Sequence, residues 1–258
     1  QSALEKSLTY MPERVSTLIN LQAVYVKLKR LDAAWALTEQ ILRLDPNSPE
    51  AYLNAGNVLK ERFEWSRARE YFDKAIALAP QYESAWNNRG ALFLQNRMYT
   101  EAERDFKHAL ILNPNDDEIH NNLGNLYLSL RNYKKAEDAY QDALKISRSG
   151  HALFNLGSLY AAEYKDFDRA IGCFEEAFHL TDSLDGLPGA YLASKARICD
   201  WGGFSTLRDR VLEALEANTP SIIPFDALCA FSSLHLQRRS AELYVERKCT
   251  LSEKPRPT

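Results

Sequence analysis

The fold of this chain is decided by residues 51–80, AYLNAGNVLKERFEWSRAREYFDKAIALAP. Apolar residues recur there at helical spacing in two runs, which predicts two amphipathic helices. Gly56 and Ala68 are small where the two helices must approach closely, and Phe72 is large enough to fill the space between neighbouring helices. Pro80 lacks an amide hydrogen and ends the second run. The stretch therefore predicts one helix–turn–helix unit.

This pattern returns at a fixed interval along most of the chain. Steps of 34 residues separate the members of a proline, an alanine and an aromatic series, and a glycine series keeps that step until its last member, which comes after 33. The series are Pro12, Pro46, Pro80 and Pro114; Ala34, Ala68, Ala102, Ala136 and Ala170; Phe72, Phe106, Tyr140 and Phe174; and Gly56, Gly90, Gly124 and Gly157. Such a period indicates stacked repeats. Because no unit can bury its apolar face alone, the sequence predicts an all-α superhelix of antiparallel helix pairs.

The period divides the chain into units. A partial unit at 1–14 precedes five full units at 15–48, 49–82, 83–116, 117–149 and 150–183, and these are followed by a helical junction or capping segment at 184–250 and a flexible tail at 251–258. Within the junction we expect helices at 188–199, 204–217 and 224–248. The first full unit is irregular, with Gln22 at the usual glycine position and Thr38 at the usual aromatic one. The fifth loses one residue before its first helix and regains one in the turn AAEYKDFDRA.

These residues and their spacing resemble the tetratricopeptide repeat (TPR), a helix–turn–helix unit of 34 residues. The resemblance implies a right-handed α-solenoid whose concave face is lined by the first helix of each unit. It also implies that the chain binds proteins or extended peptides in that concave groove.

The segment after the repeats carries a second resemblance. Residues 196–215 and 220–247 are similar to the stretch that joins the TPR array to the catalytic domain in O-linked N-acetylglucosamine (O-GlcNAc) transferases. The most recognisable pieces are Cys199-Asp200-Trp201, Pro224-Phe225, Gln237 and Ala241. The form with Pro-Phe and a downstream Gln-x-x-x-Ala looks like the bacterial, SPINDLY-like branch of that family.

This second resemblance implies that the chain docks protein substrates for a glycosyltransferase domain that is not in this chain. The family's catalytic half consists of two Rossmann-like lobes, which need alternating strands and glycine-rich turns. The sequence has neither, so we expect no catalytic residue, no cofactor and no enzymatic activity in this chain itself. The alternative is a stand-alone TPR scaffold in complex assembly or secretion.

An asparagine occupies the same position in the first helix of all five units, and two more follow one turn later. They are Asn20, Asn54, Asn88, Asn122 and Asn155, with Asn57 and Asn125. A primary amide offers both donors and an acceptor, so a row of amides can hold a polypeptide backbone without reading its sequence. The resemblance to O-GlcNAc transferases implies such an asparagine ladder for protein substrates. The alternative is generic repeat chemistry, in which each amide satisfies neighbouring backbone groups.

Charge and the remaining motifs argue against other partners. The net charge of -3, with no basic block, argues against nucleic acid, and no apolar run approaches the ~18 residues that a membrane span needs. The histidines show no metal-ligand spacing, and the four widely separated cysteines are typical of reduced thiols in a cytoplasmic protein. TPRs that bind C-terminal carboxylates of chaperones through a two-carboxylate clamp need lysine or arginine near the ladder positions. Leu53 and Asn87, which precede ladder positions, are not basic, so such a clamp is disfavoured. Asp116-Asp117-Glu118 stands at a helix start, where acids are favourable. The second helices of such arrays can pair, so a homodimer formed through them is a further alternative.

Overall fold

The computed structural model describes residues 15–181, 184, 186–217, 222, 227 and 233–252. All regular structure in these residues is helical, which confirms the all-α solenoid class expected from the sequence. In chain order the helices are α1 (Val15–Lys27), α2 (Leu31–Leu44), α3 (Pro49–Glu61), α4 (Trp65–Leu78), α5 (Glu83–Gln95), α6 (Tyr99–Leu112), α7 (Asp117–Ser129), α8 (Tyr133–Ile146), α9 (Gly150–Leu159), α10 (Phe167–Leu180), α11 (Leu187–Arg197), α12 (Phe204–Glu216) and α13 (Leu234–Ser252). The partial unit predicted at 1–14 lies outside the described residues.

The two helices of a unit approach most closely where the repeat's glycine meets its aromatic residue. A methyl group added at Gly90 would lie 2.8 Å from both Cδ1 and Cε1 of Phe106. Gly157 stands against Phe174 in the same way, with 2.7 Å to Cε1. Both aromatic rings are fully buried. The close approach that the periodic glycines predict is therefore present.

The turn inside each full unit contains a non-glycine residue with a left-handed backbone. These residues are Lys29, Phe63, Arg97, Arg131 and Lys165, with φ between 57 and 62°. In the first four units the N–H of the residue that follows bonds five residues back, as in the 2.9 Å bond from Met98 N to Phe93 O, whereas in the fifth Asp166 N bonds six residues back to Tyr160 O. The five-residue bond is that of the Schellman arrangement, which closes a helix by satisfying its last carbonyls. Glycine is the usual residue at the left-handed position of such helix ends, but in this chain the position recurs at the repeat period with other residues.

The helices form two compact units, Gln1–Asn122 and Leu123–Thr258. In the first unit, the first helices contact one another in succession, α1 with α3 and α3 with α5. The second helices flank this layer, with α2 packed against α1 and α3, and α4 packed against α3 and α5. Residues 117–122 of α7 join α5 through the bonds of Glu118 and Asn122 to Asn87. These first helices form one continuous layer, whose surface we call the inner face: α1, α3, α5 and residues 117–122 of α7.

In the second compact unit the repeat packing continues into the junction helices. The core extends from Tyr140 through Leu192 and Val211 to Leu243, and α10, α11 and α12 pack in order. The junction helices predicted at 188–199 and 204–217 occur as α11 and α12. The third lies at Leu234–Ser252 as α13, and residues 224–226 and 228–232 of its predicted range are outside the described residues. None of the described helices combines the length and apolar character that crossing a bilayer demands.

Both irregular units keep the helix pair through a local change. In the first, the buried Gln22 donates from Nε2 to Oγ1 of the buried Thr38, so a polar pair replaces the glycine–aromatic contact. In the fifth, a π-helical turn at Tyr160–Tyr164 follows α9. A π turn accommodates one extra residue in a helix. It therefore takes up the residue that the sequence gains in this turn, and the left-handed Lys165 returns to the period.

Candidate functional site

The candidate site is the inner face of the first compact unit. Asn54, Asn57 and Lys60 follow one another at intervals of three along α3, so each is a neighbour of the next and the row winds across about 120° of the helix surface. Asn54 contacts α1, and the charge of Lys60 interacts with Glu118 on α7. The row on α3 therefore meets the first helices of neighbouring repeats within the layer.

Two of the predicted ladder amides connect successive repeats. Asn54 donates from Nδ2 to the backbone oxygen of Ile19, 3.5 Å away on α1. Asn122 donates from Nδ2 to Oδ1 of the buried Asn87, 3.0 Å away on α5. In both cases the acceptor lies 35 residues earlier, at the position just before the asparagine of the preceding repeat. At Asn54 the acceptor is a backbone oxygen of the neighbouring repeat, which is the contact that generic repeat chemistry predicts.

The bond between Asn122 and Asn87 continues to a carboxylate. Asn87 donates from Nδ2 to Oε1 of Glu118, 3.3 Å away. The sequence pattern placed the run Asp116-Asp117-Glu118 at a helix start as capping acids, and Asp116 makes such a contact by accepting from the N–H of Ile119 at 3.1 Å. Glu118, in the same run, also bonds to another helix through Asn87. Asn87 and Glu118 are residues of the candidate site that sequence reasoning missed. The available signal was the occurrence of Asn87 at a position that is apolar in the two preceding repeats.

The remaining ladder residues are placed differently. Asn20 is exposed and Asn88 is half-buried, and the structure shows no hydrogen bond from the Asn88 side chain to any described residue. The side-chain oxygen of Asn57 is buried and has no partner among the described residues. In the second compact unit Asn155 is half-buried, and Asn125 accepts at Oδ1 from the hydroxyl of Tyr140, 2.8 Å away. The oxygen of Asn125 therefore serves the packing of its own repeat.

Lys60 is a cation of the inner face without a close counter-ion. It is half-buried, and no described carboxylate lies within 4.0 Å of its ammonium. Burial lowers the pKa of Lys60, and the attraction of Glu61 and Glu118 does not offset that cost. Glu61 forms an ion pair with Lys29, while Glu118 accepts from Asn87.

A second buried charge cluster joins two repeats away from the ladder. Arg89 binds the fully buried carboxylate of Asp105 through Nε at 2.6 Å and Nη2 at 3.0 Å, and it reaches Asp73 through Nη1 at 2.6 Å. Burial alone would lower the pKa of Arg89, but the hydrogen bonds with Asp105 and Asp73 raise it above its usual value. The guanidinium also lies 4.8 Å from the ring centroid of Trp86. Each of the three guanidinium nitrogens donates to a carboxylate of its own or the preceding repeat, so this cluster is structural.

The π turn of the second compact unit is held by one carboxylate. Glu137 is buried and accepts from the hydroxyl of Tyr160 at 2.9 Å and from that of Tyr164 at 3.4 Å. Arg169 donates to the same carboxylate at 3.4 Å and lies 4.2 Å from the Tyr160 ring centroid. Burial, and then the bond to Glu137, raise the pKa of Tyr160. These contacts hold the π turn, with its one extra residue, against α8 and α10.

Among the described residues no group of histidine, cysteine and acidic side chains is arranged to hold a metal ion. The amides of the inner face instead provide paired donors and acceptors, and Lys60 and Glu118 provide separated charges. This chemistry suits the backbone and side chains of a polypeptide.

Three family models, each described as a tetratricopeptide repeat, match the sequence at residues 49–82, 81–149 and 122–183. Together they span more than half of the chain. The fold therefore defines an α-solenoid of the protein-binding kind, and the chain belongs to the tetratricopeptide repeat family. No curated protein matches the sequence.

Solved structures give the same fold. PilF of Pseudomonas aeruginosa is similar with a TM-score of 0.65 at 18% identity, over 88% of this chain and 97% of that one. A thermophilic TPR protein of Thermus thermophilus, TTC0263, is similar with a TM-score of 0.65 at 21% identity, over 70% of this chain and 99% of that one. One chain in the structure of the APC/C hetero-tetramer Cut9–Hcn1 is similar with a TM-score of 0.68 at 14% identity, over 93% of this chain and 45% of that one. At these identities the likeness concerns the fold alone.

Proposed function

We propose that the inner face binds an extended segment of a partner protein through the carboxamides of Asn54, Asn88 and Asn122. The observation that carries this is the incomplete use of these amides. Asn54 and Asn122 each spend one N–H on the preceding repeat, which leaves a second N–H and the amide oxygen for a ligand. A peptide backbone presents the complementary N–H and C=O groups at regular intervals.

The expected affinity is low. Each hydrogen bond contributes about 0.5–1.5 kcal/mol net, while ordering a flexible segment costs about 2–5 kcal/mol. A few amides leave only a modest surplus. The function is therefore broad recognition of disordered segments in protein assembly.

The test is peptide binding by variants of the ladder, measured by fluorescence anisotropy. Asn88→Ala is the cleanest variant, because it removes an amide that makes no hydrogen bond to a described residue. The exposed Asn47, which lies between α2 and α3, supplies a matched control as Asn47→Ala. If Asn54, Asn88 and Asn122 all become alanine and a folded protein binds peptides as before, the ladder proposal is wrong.

We further propose that the partner segments are substrates of an O-GlcNAc transferase-like catalytic domain, and that this chain is its non-catalytic docking region in the cytoplasm. The support is the sequence resemblance around Cys199-Asp200-Trp201. Neither the family models nor the solved structures add support to it. The coding sequence beyond Thr258 tests the proposal: two Rossmann-like lobes would support it, and a stop codon would favour the stand-alone scaffold. UDP-sugar hydrolysis by this chain would contradict the non-catalytic part.

A further inference from the structure

We propose that Lys60 forms a subsite for a carboxylate of the bound segment, so that the inner face prefers polypeptides with an acidic residue. This inference rests on the proposed function, because it requires an extended chain on the inner face. It adds a side-chain preference to a ladder that otherwise reads only the backbone.

The ammonium of Lys60 has no anionic hydrogen-bond acceptor among the described residues. Each nearby acid already has a donor, since Glu61 pairs with Lys29 and Glu118 accepts from Asn87. Lys60 has three donors, and no described carboxylate lies within 4.0 Å of it. A carboxylate supplied by a ligand would complete the cluster with a charge-assisted hydrogen bond.

The position of Lys60 does not require a cation for folding. The equivalent positions of the next two repeats hold Leu94 and Leu128, both half-buried. An aliphatic side chain therefore suits this site, whereas the Lys60 ammonium loses hydration without gaining a close counter-ion. Burial correspondingly lowers its pKa. A charge that costs stability at a position where leucine fits is expected to serve binding.

The subsite lies beside the ladder. Lys60 lies six residues after Asn54 on α3, about 120° further around the helix. Asn57 stands between them and is a neighbour of both on the helix surface. When the backbone of an extended chain is held by amides, alternate side chains point to opposite sides, so one of them can reach Lys60. The arrangement differs from a two-carboxylate clamp because it provides a single cation. Glu118 lies beyond 4.0 Å and opposes a ligand carboxylate, so its charge should weaken the preference.

The experiment compares two acetylated, amidated peptides of serine, alanine and threonine, one with central glutamates and one with glutamines at the same places. We expect the whole chain to bind the glutamate peptide about tenfold more tightly at low salt, the gain of one charge-assisted bond. Lys60→Met should abolish the difference and leave the glutamine peptide unaffected. Lys107→Met is the matched control, because Lys107 is exposed on α6 and paired with Glu103. Glu118→Gln should enlarge the difference.

The outcomes separate the two proposals. Equal binding of both peptides by the wild type, or equal weakening of both by Lys60→Met, overturns the acidic subsite and leaves the ladder standing. Absence of binding by either peptide overturns both. A glutamine peptide with a free C-terminal carboxylate distinguishes the sources of the anion: binding at the level of the glutamate peptide would assign the subsite to a chain terminus, and binding at the level of its amidated form supports a side chain.

Discussion

Replacing Gly90 with alanine tests whether the close helix contact within a repeat determines the stability of the array. The added Cβ would lie 2.8 Å from both Cδ1 and Cε1 of Phe106, a fully buried ring that cannot swing away. Overpacking costs about 1–3 kcal/mol, and replacing a glycine inside a helix recovers about 1 kcal/mol. Two simultaneous ring contacts place the cost at the upper end, so the free energy of unfolding should fall by about 2 kcal/mol.

Urea unfolding followed by circular dichroism measures this loss, and hydrogen exchange of the amides in α5 and α6 localises it. The control is Gly172→Ala in α10, where an added Cβ meets nothing within 4 Å, and it should stabilise by about 1 kcal/mol. Phe106→Leu makes room for the methyl group. The double variant should therefore lose about 1 kcal/mol less stability than the sum of the two single losses. If Gly90→Ala stabilises as much as Gly172→Ala, the reasoning from the helix contact is refuted.

Three further changes test other parts of the structure. Arg89→Leu should cost about 3 kcal/mol in urea unfolding, because the fully buried Asp105 loses its two-bond partner; adding Asp105→Asn should recover part of that loss, and a purely additive double variant would contradict this. Arg131→Gly should stabilise by about 1 kcal/mol, since glycine adopts a φ of 57° without a Cβ penalty; destabilisation would argue against stored strain. The pKa of Lys60 is lowered from 10.5 in the folded state, so the unfolded chain binds more protons and stability should rise as pH climbs from the folded pKa towards 10.5. In thermal unfolding, Lys60→Met should remove this rise and stabilise the protein at neutral pH, whereas a pH-independent difference from the wild type would contradict the burial argument.

The helix pairs could be predicted from the sequence because their contacts are periodic. Gly90 and Phe106 stand in the same relation as Gly157 and Phe174, so one interpretation applies to every regular repeat. The left-handed turn residues gave no such signal. Lysine, phenylalanine and arginine all occur there, because that backbone is imposed by closing the helix and not by the side chain.

The polar contacts of the inner face were only partly predictable. Equivalent asparagines marked the ladder positions, but the acceptor of Asn122 lies 35 residues away on another helix. Its identity depends on how one repeat is rotated against the next, which the period does not specify. For the same reason the run Asp116-Asp117-Glu118 predicted the capping contact that Asp116 makes at the start of α7, but not the bond of Glu118 to Asn87 on α5.

The bonds between repeats bear directly on ligand binding. A side chain held by one hydrogen bond has already lost much of its rotamer freedom, so it gives up less entropy when a peptide binds. Asn122, fixed by Asn87, should therefore contribute more per ligand contact than Asn88, which no described residue holds. Asn122→Ala should weaken peptide binding more than Asn88→Ala in anisotropy titrations, even when both proteins are fully folded by circular dichroism. Equal losses would show that the inter-repeat bonds do not prepare the amides for a ligand and serve stacking alone.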